Sequence, residues 1–202
     1  MDTKKIIVAT GNANKVIEIR EILKDMDVTL SSLKDEGLQD VDIEENGKTF
    51  EENAIIKAKA ICEMTGEICM ADDSGLVVDA LGGEPGIYSA RYLGRDTSYD
   101  YKNNYIIKQL EGKEGKERSA RFVCACACAL PNGKVLTAEG VIEGQIGFEQ
   151  KGENGFGYDP IFFLPEKGKT TAEISPEEKN EISHRGRAFT KMRELLKDEL
   201  QG

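Results

Sequence analysis

No run of apolar residues in this 202-residue sequence approaches a bilayer span, which takes about 20 consecutive apolar side chains. Nor does the start carry a signal-like pattern, since Lys4 and Lys5 lead straight into a short IIVA segment and a polar turn; this predicts a cytoplasmic protein with no membrane partner. Positive charge is in deficit. With 27 Lys and Arg against 37 Asp and Glu, the formal charge of −10 argues against a nonspecific grip on nucleic acid. A small phosphate ligand stays open to such a chain, because a local basic cluster and a divalent cation reverse the sign of the field within one site. The five cysteines are an odd set, which suits a reducing compartment better than a disulfide framework. Cys124, Cys126 and Cys128 alternate with alanines in FVCACACAL, so a strand places all three in a line on one face. A line does not make a tetrahedral metal site, and these thiols are expected to be small core residues. The one histidine, His184, stands near a helix start, where capping or packing is the commoner role. The GxxxxGK[ST] phosphate loop is absent: Gly168, Lys169 and Thr170 imitate its end, but Phe163 occupies the place of its first glycine.

What is present reads as an α/β protein. Hydrophobic residues at 39% and charged residues at 32% describe a soluble globular chain. A chain of this length buries about 70% of its unfolded surface, as one large domain or two intimately packed lobes. Lys5 to Ala9 predicts a strand, TGNANK a polar turn, and Val16, Ile19, Ile22 and Leu23 the apolar stripe of a helix. Val28 to Leu33 predicts a second strand. Thr49 and Glu52 form a T-x-x-E capping box that opens a helix with Ala54, Ile55, Ala58, Ile61 and Cys62 on its buried side. Ile68 to Ala71 predicts a strand that ends at Asp72 and Asp73, with Ser74 and Gly75 turning sharply. Ser98 to Leu110 predicts a helix stopped by Gly112, and Ala120 to Leu130 with Val135 to Ile142 a hairpin through Pro131, Asn132 and Gly133. After the glycine-dense GENGFGYDP and the apolar IFFL, Ser175, Pro176 and Glu178 cap another helix, and Ser183 to Leu200 forms the last, with Phe189, Met192 and Leu196 on one face. Without repeat, low-complexity tract or linker, residues 1–202 read as a single domain.

The chemistry concentrates in MADDSGLVVDALGGEPGIYSAR, residues 70–91, where two adjacent carboxylates follow an apolar run. Neighbouring side chains of a strand point to opposite faces, which predicts one structural and one catalytic aspartate. An ordinary Asx turn closing a strand is the commoner meaning of an isolated Asp-Asp-Ser-Gly, so the rest of the chain must decide. Thr10, Gly11 and Asn12 lie between a strand and a helix, where backbone amides and the positive helix end favour an anion, and Lys15 adds a charge in the first turn. Phe156, Tyr158 and Asp159, presented together by a glycine-rich loop, suit a nucleobase that stacks on a ring and donates to a carboxylate. Lys179 and the run Ser183, His184, Arg185 supply donors for phosphate and carbonyl oxygens.

Five blocks in order, VATGNANK, TFEENAIIKAKA, ADDSGLVVDALGGEPGIYSARY, GFGYDPIFF and EKNEISHRG, run nearly end to end. Together they resemble the inosine/xanthosine triphosphate pyrophosphatases, the Ham1-like enzymes that clear non-canonical purine nucleotides from the pool. The resemblance implies a central twisted mixed sheet flanked by helices, two lobes around a deep substrate cleft, and a homodimer. It also implies Mg²⁺-dependent hydrolysis of ITP, dITP and XTP to the monophosphate and pyrophosphate. By position it places the catalytic aspartate at Asp73 and the substrate contacts at Thr10, Gly11, Asn12, Ala13, Asn14, Lys15, Ser74, Phe156, Gly157, Tyr158, Asp159, Lys179, His184 and Arg185. The magnesium carboxylates match Asp73 and Glu44, with Glu45 beside it as the alternative. An arginine donor at Arg185 and a carboxylate at Asp159 fit the 6-oxo and N1–H edge of hypoxanthine and xanthine and oppose adenine. A Maf-like pyrophosphatase would share the chemistry, but the SHR and FGYD blocks argue against it; a non-catalytic nucleotide-binding module would not need the paired acids.

Overall fold

A computed structural model describes residues 4–201, excluding the side chain of Gln201. The strands are β1 (Lys4–Val8), β2 (Val28–Ser32), β3 (Ile68–Val78), β4 (Ser119–Ala129), β5 (Val135–Ile146), β6 (Phe162–Leu164) and β7 (Lys169–Thr170). The helices are α1 (Ala13–Ile22), α2 (Phe50–Thr65), α3 (Tyr99–Gln109), α4 (Pro176–Ile182) and α5 (His184–Gln201). The strands form one open sheet in the order β2-β1-β3-β4-β5-β6-β7. β1 pairs in parallel with both β2 and β3, while β6 is antiparallel to β5 and β7, so the sheet is mixed as expected.

Local chemistry accounts for the helix boundaries. Asn12 caps α1 through its side chain, Thr49 caps α2 by accepting from the Glu52 amide, and Ser98 and Ser175 do the same for α3 and α4. At α2 the reciprocal half of the capping box shifts by one residue: the Glu52 carboxylate accepts from the Lys48 amide, 2.6 Å away. Gly66 ends α2 in the left-handed conformation.

The chain divides into two compact units, each assembled from separate stretches of sequence. The first comprises residues 1–73, 124–140 and 184–202. Its part of the sheet is covered on both faces. On one, Val16 and Ile19 of α1 and Phe189, Met192 and Leu196 of α5 pack with Ile6, Val8, Met70, Cys124, Cys126 and Cys128. On the other, Ala54, Ala58 and Ile61 of α2 pack with Ile7, Cys69, Ala71, Ala127 and Ala129. The expected line of three cysteines is therefore present as core: all three are fully buried on one face, and burial raises each thiol's pKa, with Cys128 at about 12.

The second unit comprises residues 74–123 and 141–183. Its core joins Leu76 and Val78 to Ile106, Leu110, Phe122, Tyr158, Ile161 and Phe162. Arg118 is buried there and satisfies four main-chain carbonyls, those of Leu110, Lys113, Ile146 and Gly147.

One expectation fails here. β3 does not stop at Ala71 but runs on through Asp72, Asp73, Ser74 and Gly75 to Val78. Leu76 and Val78 are both fully buried in the core, and that burial outweighs the turn propensity of Ser-Gly. The second strand of the expected hairpin likewise lengthens: β5 continues past Ile142 to the buried Ile146.

Candidate active site

Because β3 stays extended through both aspartates, its pleat sends their side chains to opposite faces. Asp72 shares the face of Met70 and meets α1 and α5. Its carboxylate lies 3.0 Å from the Lys15 ammonium and 3.4 Å from the Arg185 guanidinium, and Arg185 also holds Glu18 at 2.6 Å. Cys124 donates to the same carboxylate oxygen at 3.8 Å. Asp72 is fully buried, a position that by itself disfavours the charge, but Lys15 and Arg185 overcome this and hold its carboxyl well below the usual carboxylate range. Its Oδ1 has no hydrogen-bond partner among the described residues.

Asp73 shares the face of Cys69 and Ala71 and meets α2. Asn53, in the first turn of that helix, donates to Asp73 Oδ2 at 3.1 Å. Lys57, one turn further along the same helix face, donates to the Asp72 carbonyl at 2.8 Å and pairs with Glu45 at 3.0 Å. Burial raises the Asp73 carboxyl above its ordinary value; the charges of Lys57 and Lys15 and the Asn53 hydrogen bond oppose that shift, and Glu45 adds to it. Two identical neighbours in the sequence thus have opposite electrostatic character. Ser74 follows on β3, half-buried.

The turn before α1 is exposed at Gly11, Asn12, Ala13 and Asn14. Asn12 accepts from the amides of Asn14 and Lys15, and Thr10 accepts from the Asn12 amide, so side chains of the turn itself take up three of the amides expected to face an anion. Lys15, by contrast, points to Asp72.

In the second unit, the segment Phe156 to Asp159 is a turn anchored from within. Asp159 accepts from the Phe156 amide at 2.9 Å, from Thr171 at 2.8 Å and from the Lys179 ammonium at 2.6 Å, with both charged side chains almost wholly buried. Lys179 also lies over the Phe156 ring, 4.9 Å from its centre. Gly155 has φ +73°, and a Cβ there would collide with the Asp159 carboxylate, so only glycine admits this closure. Tyr158 is buried, donates its hydroxyl to the Ser89 carbonyl at 2.7 Å and meets Tyr99 edge-on. Asn103 of α3 donates to the Gly157 carbonyl at 3.1 Å.

Arg185 and Asp159 were expected to face one purine edge together. Each has a buried countercharge in its own unit, Asp72 and Glu18 for Arg185 and Lys179 for Asp159. His184 and Arg185 form the buried start of α5, directly after Ser183. Of the two candidate glutamates, Glu44 is exposed, and Glu45 is the one paired with Lys57 and felt by Asp73. The sequence reading missed Asn53, Lys57 and Glu18. The signal for the first two was a polar pair four residues apart beside the apolar stripe of α2, which a stripe of Ala and Ile does not need for packing.

A mixed sheet of this order flanked by helices makes this an α/β protein, and sequence comparison gives the family. The Ham1 family model matches residues 6–195, and the chain belongs to that family. It is 49% identical over 193 residues to a protein of Bacillus licheniformis named dITP/XTP pyrophosphatase, covering 96% of this chain and 98% of that one. A protein of the same name from Clostridium perfringens is 48% identical over 200 residues, 96% and 98% of the two chains. Among solved structures, a HAM1 protein from Coxiella burnetii superposes with a TM-score of 0.87 at 40% identity, covering 97% of this chain and all of that one. The Staphylococcus aureus Ham1 protein gives 0.86 at 40% identity and the same coverage.

Proposed function

We propose that this protein hydrolyses non-canonical purine nucleoside triphosphates, dITP, ITP and XTP, to the monophosphate and pyrophosphate, and so cleanses the nucleotide pool. The observation that carries the reading is the divergence of the two aspartates: a buried Asp72 paired with Lys15 and Arg185 beside an Asp73 whose carboxyl is raised by burial and accepts from Asn53. The names of the near relatives point to the same activity.

In this reading Asp73 orients the attacking water and accepts its proton, a task that a raised carboxyl pKa favours. Lys15 and Lys57 supply positive charge near the reacting phosphate, with Asp72 holding Lys15 in place, and Lys179 serves another phosphate oxygen. By position in the family pattern, Thr10 to Asn14 and Ser74 are further contacts of the triphosphate. Base recognition falls to the turn that Asp159 orders through Gly157 and Tyr158, where Phe156 stacks, and to a donor for the 6-oxo group, the role that the family pattern gives to Arg185 and His184. Adenine, with an amino group in that place, would set donor against donor, at about a 100-fold cost in kcat/KM.

The donor set fits a divalent cation. Among the described residues no cluster of three or more His, Cys, Asp or Glu side chains forms a metal cage, whereas Mg²⁺ typically uses one or two carboxylates plus substrate phosphates and water. Asp73 and a glutamate of the Glu44–Glu45 pair would hold it. When bound, Mg²⁺ neutralises charge developing on the phosphates and lowers the pKa of water. We further assign the protein to the cytoplasm as a homodimer working through the whole chain as one domain. The functional test is pyrophosphate release across a nucleotide panel with and without Mg²⁺. Release from dITP, ITP and XTP far above that from ATP and GTP is expected; equal kcat/KM for ATP and ITP would overturn the base assignment.

A further inference from the structure

Asn53 is the residue whose presence packing explains least. It is 1% exposed, on the face of α2 that is otherwise Ala54, Ala58 and Ile61, and asparagine is a poor helix former. Its side chain nonetheless has both ends engaged. Nδ2 donates to Asp73 Oδ2 at 3.1 Å, and Oδ1 accepts from the Gly47 amide at 2.8 Å. The two partners fix the orientation of the amide, because a flipped side chain would set oxygen against carboxylate and NH₂ against N–H. Gly47 closes the segment that carries Glu44 and Glu45, and it approaches so closely that a Cβ there would lie 2.6 Å from Asn53 Oδ1 and 2.7 Å from Glu52 Cβ. One buried amide therefore ties the carboxylate of β3 to the acidic segment that precedes α2, segments that are otherwise more than twenty residues apart in sequence.

We propose that Asn53 is a positioning residue for the metal-dependent step, holding Asp73 and the Glu44–Gly47 segment at a fixed separation so that carboxylates from both reach one divalent cation. The inference rests on the reading of Asp73 as the reacting-site acid. Asn53 touches neither substrate nor cation in this role. It acts through the two groups it joins, as the outer partners of metal ligands generally do, and the loss of such a partner costs about 10- to 100-fold in metal affinity or activity.

Three variants separate its parts. Asn53→Ala removes both hydrogen bonds, and Asn53→Asp keeps an acceptor for the Gly47 amide while losing the donor to Asp73. Gly47→Ala leaves Asn53 intact but forces the segment away from it, which provides a probe that changes neither Asn53 nor Asp73. The measurements are Mn²⁺ binding by electron paramagnetic resonance without nucleotide, amide hydrogen exchange at Gly47, and the Mg²⁺ and dITP dependence of turnover. Asn53→Ala and Gly47→Ala should each weaken Mn²⁺ binding and raise the half-saturating Mg²⁺ by about 10-fold, with the dITP KM at saturating Mg²⁺ changed by less than about 3-fold. Gly47 exchange should quicken in Asn53→Ala and stay slow in Asn53→Asp, while the amides of Ala58 and Ile61 keep their protection in all three variants. Unchanged Mn²⁺ binding in both Asn53→Ala and Gly47→Ala would overturn the proposal, as would equal loss of protection along the whole of α2, which marks a merely structural role. Failure of the functional reading looks different: Asp73→Asn would then retain full turnover.

Discussion

The two faces of β3 carry the same residue type at adjacent positions and set it in opposite surroundings. Toward α1 and α5, Asp72 is enclosed by Lys15 and Arg185 with Glu18 behind, and its charge is compensated on the spot. Toward α2, Asp73 receives one neutral donor from Asn53 and the more distant charges of Lys57 and Lys15, and burial prevails over them. A pleat that alternates every residue suffices to give two neighbouring aspartates opposite electrostatic character, without a turn and without any difference in residue identity. The lesson concerns partners: a buried acid is held in its charged form when cations touch it and resists charging when they stand off.

The comparison is most easily broken on the Asp72 side. Asp72→Asn should destabilise the protein by about 3–5 kcal/mol at neutral pH, since it takes the buried countercharge from Lys15 and leaves Arg185 only the pairing with Glu18. Urea denaturation measures this. The sign of its pH dependence follows from the depressed carboxyl. The folded pKa lies below the unfolded value of about 3.9, so the stabilisation is complete above that pH and is lost as pH falls toward the folded value. The gap between the two proteins should therefore stay constant from neutrality down to about pH 5 and close only in stronger acid.

A smaller effect is expected in the second unit, where Asp159 and Lys179 repeat the anchored pattern. Gly155→Ala meets both a positive φ and the Asp159 carboxylate, and should cost about 2–3 kcal/mol while raising the KM for dITP more than it lowers kcat. A KM equal to that of the unaltered protein would detach the Phe156–Asp159 turn from nucleotide binding. Smallest of the three is the cysteine line behind Asp72. Cys128→Ala should lower stability by about 1 kcal/mol and leave turnover unchanged. Loss of activity together with a bound metal in the unaltered protein would show that these thiols do more than fill the core.

Much of this was legible in the sequence, and the misses have physical causes. The caps at Thr49 and Ser175, the buried faces of α1, α2 and α5, and the cysteine line all rest on short-range periodicity and were correctly placed. The end of β3 was misplaced because Ser74 and Gly75 carry a local turn signal, while the burial of Leu76 and Val78 that overrides it depends on a distant partner core. The division of Asp72 and Asp73 between the two faces of β3 followed from the pleat alone. Which aspartate was the anchor did not, because Lys15, Glu18 and Arg185 converge from opposite ends of the chain. Asn53 and Lys57 stayed hidden for the same reason: a polar residue on a helix stripe gains its meaning only when the facing strand is known.

The most direct test of that division is Asp73→Asn, with melting temperature and Mg²⁺-dependent pyrophosphate release from dITP measured on the same preparation. Because Asp73 is held at a cost in its charged form, the neutral amide should leave the melting temperature at neutral pH equal or higher. Turnover should fall by at least about 100-fold as the proton acceptor is lost. A variant that melts well below the unaltered protein while releasing pyrophosphate at an undiminished rate would contradict the account, for it would make Asp73 the anchor and leave the chemistry to another residue.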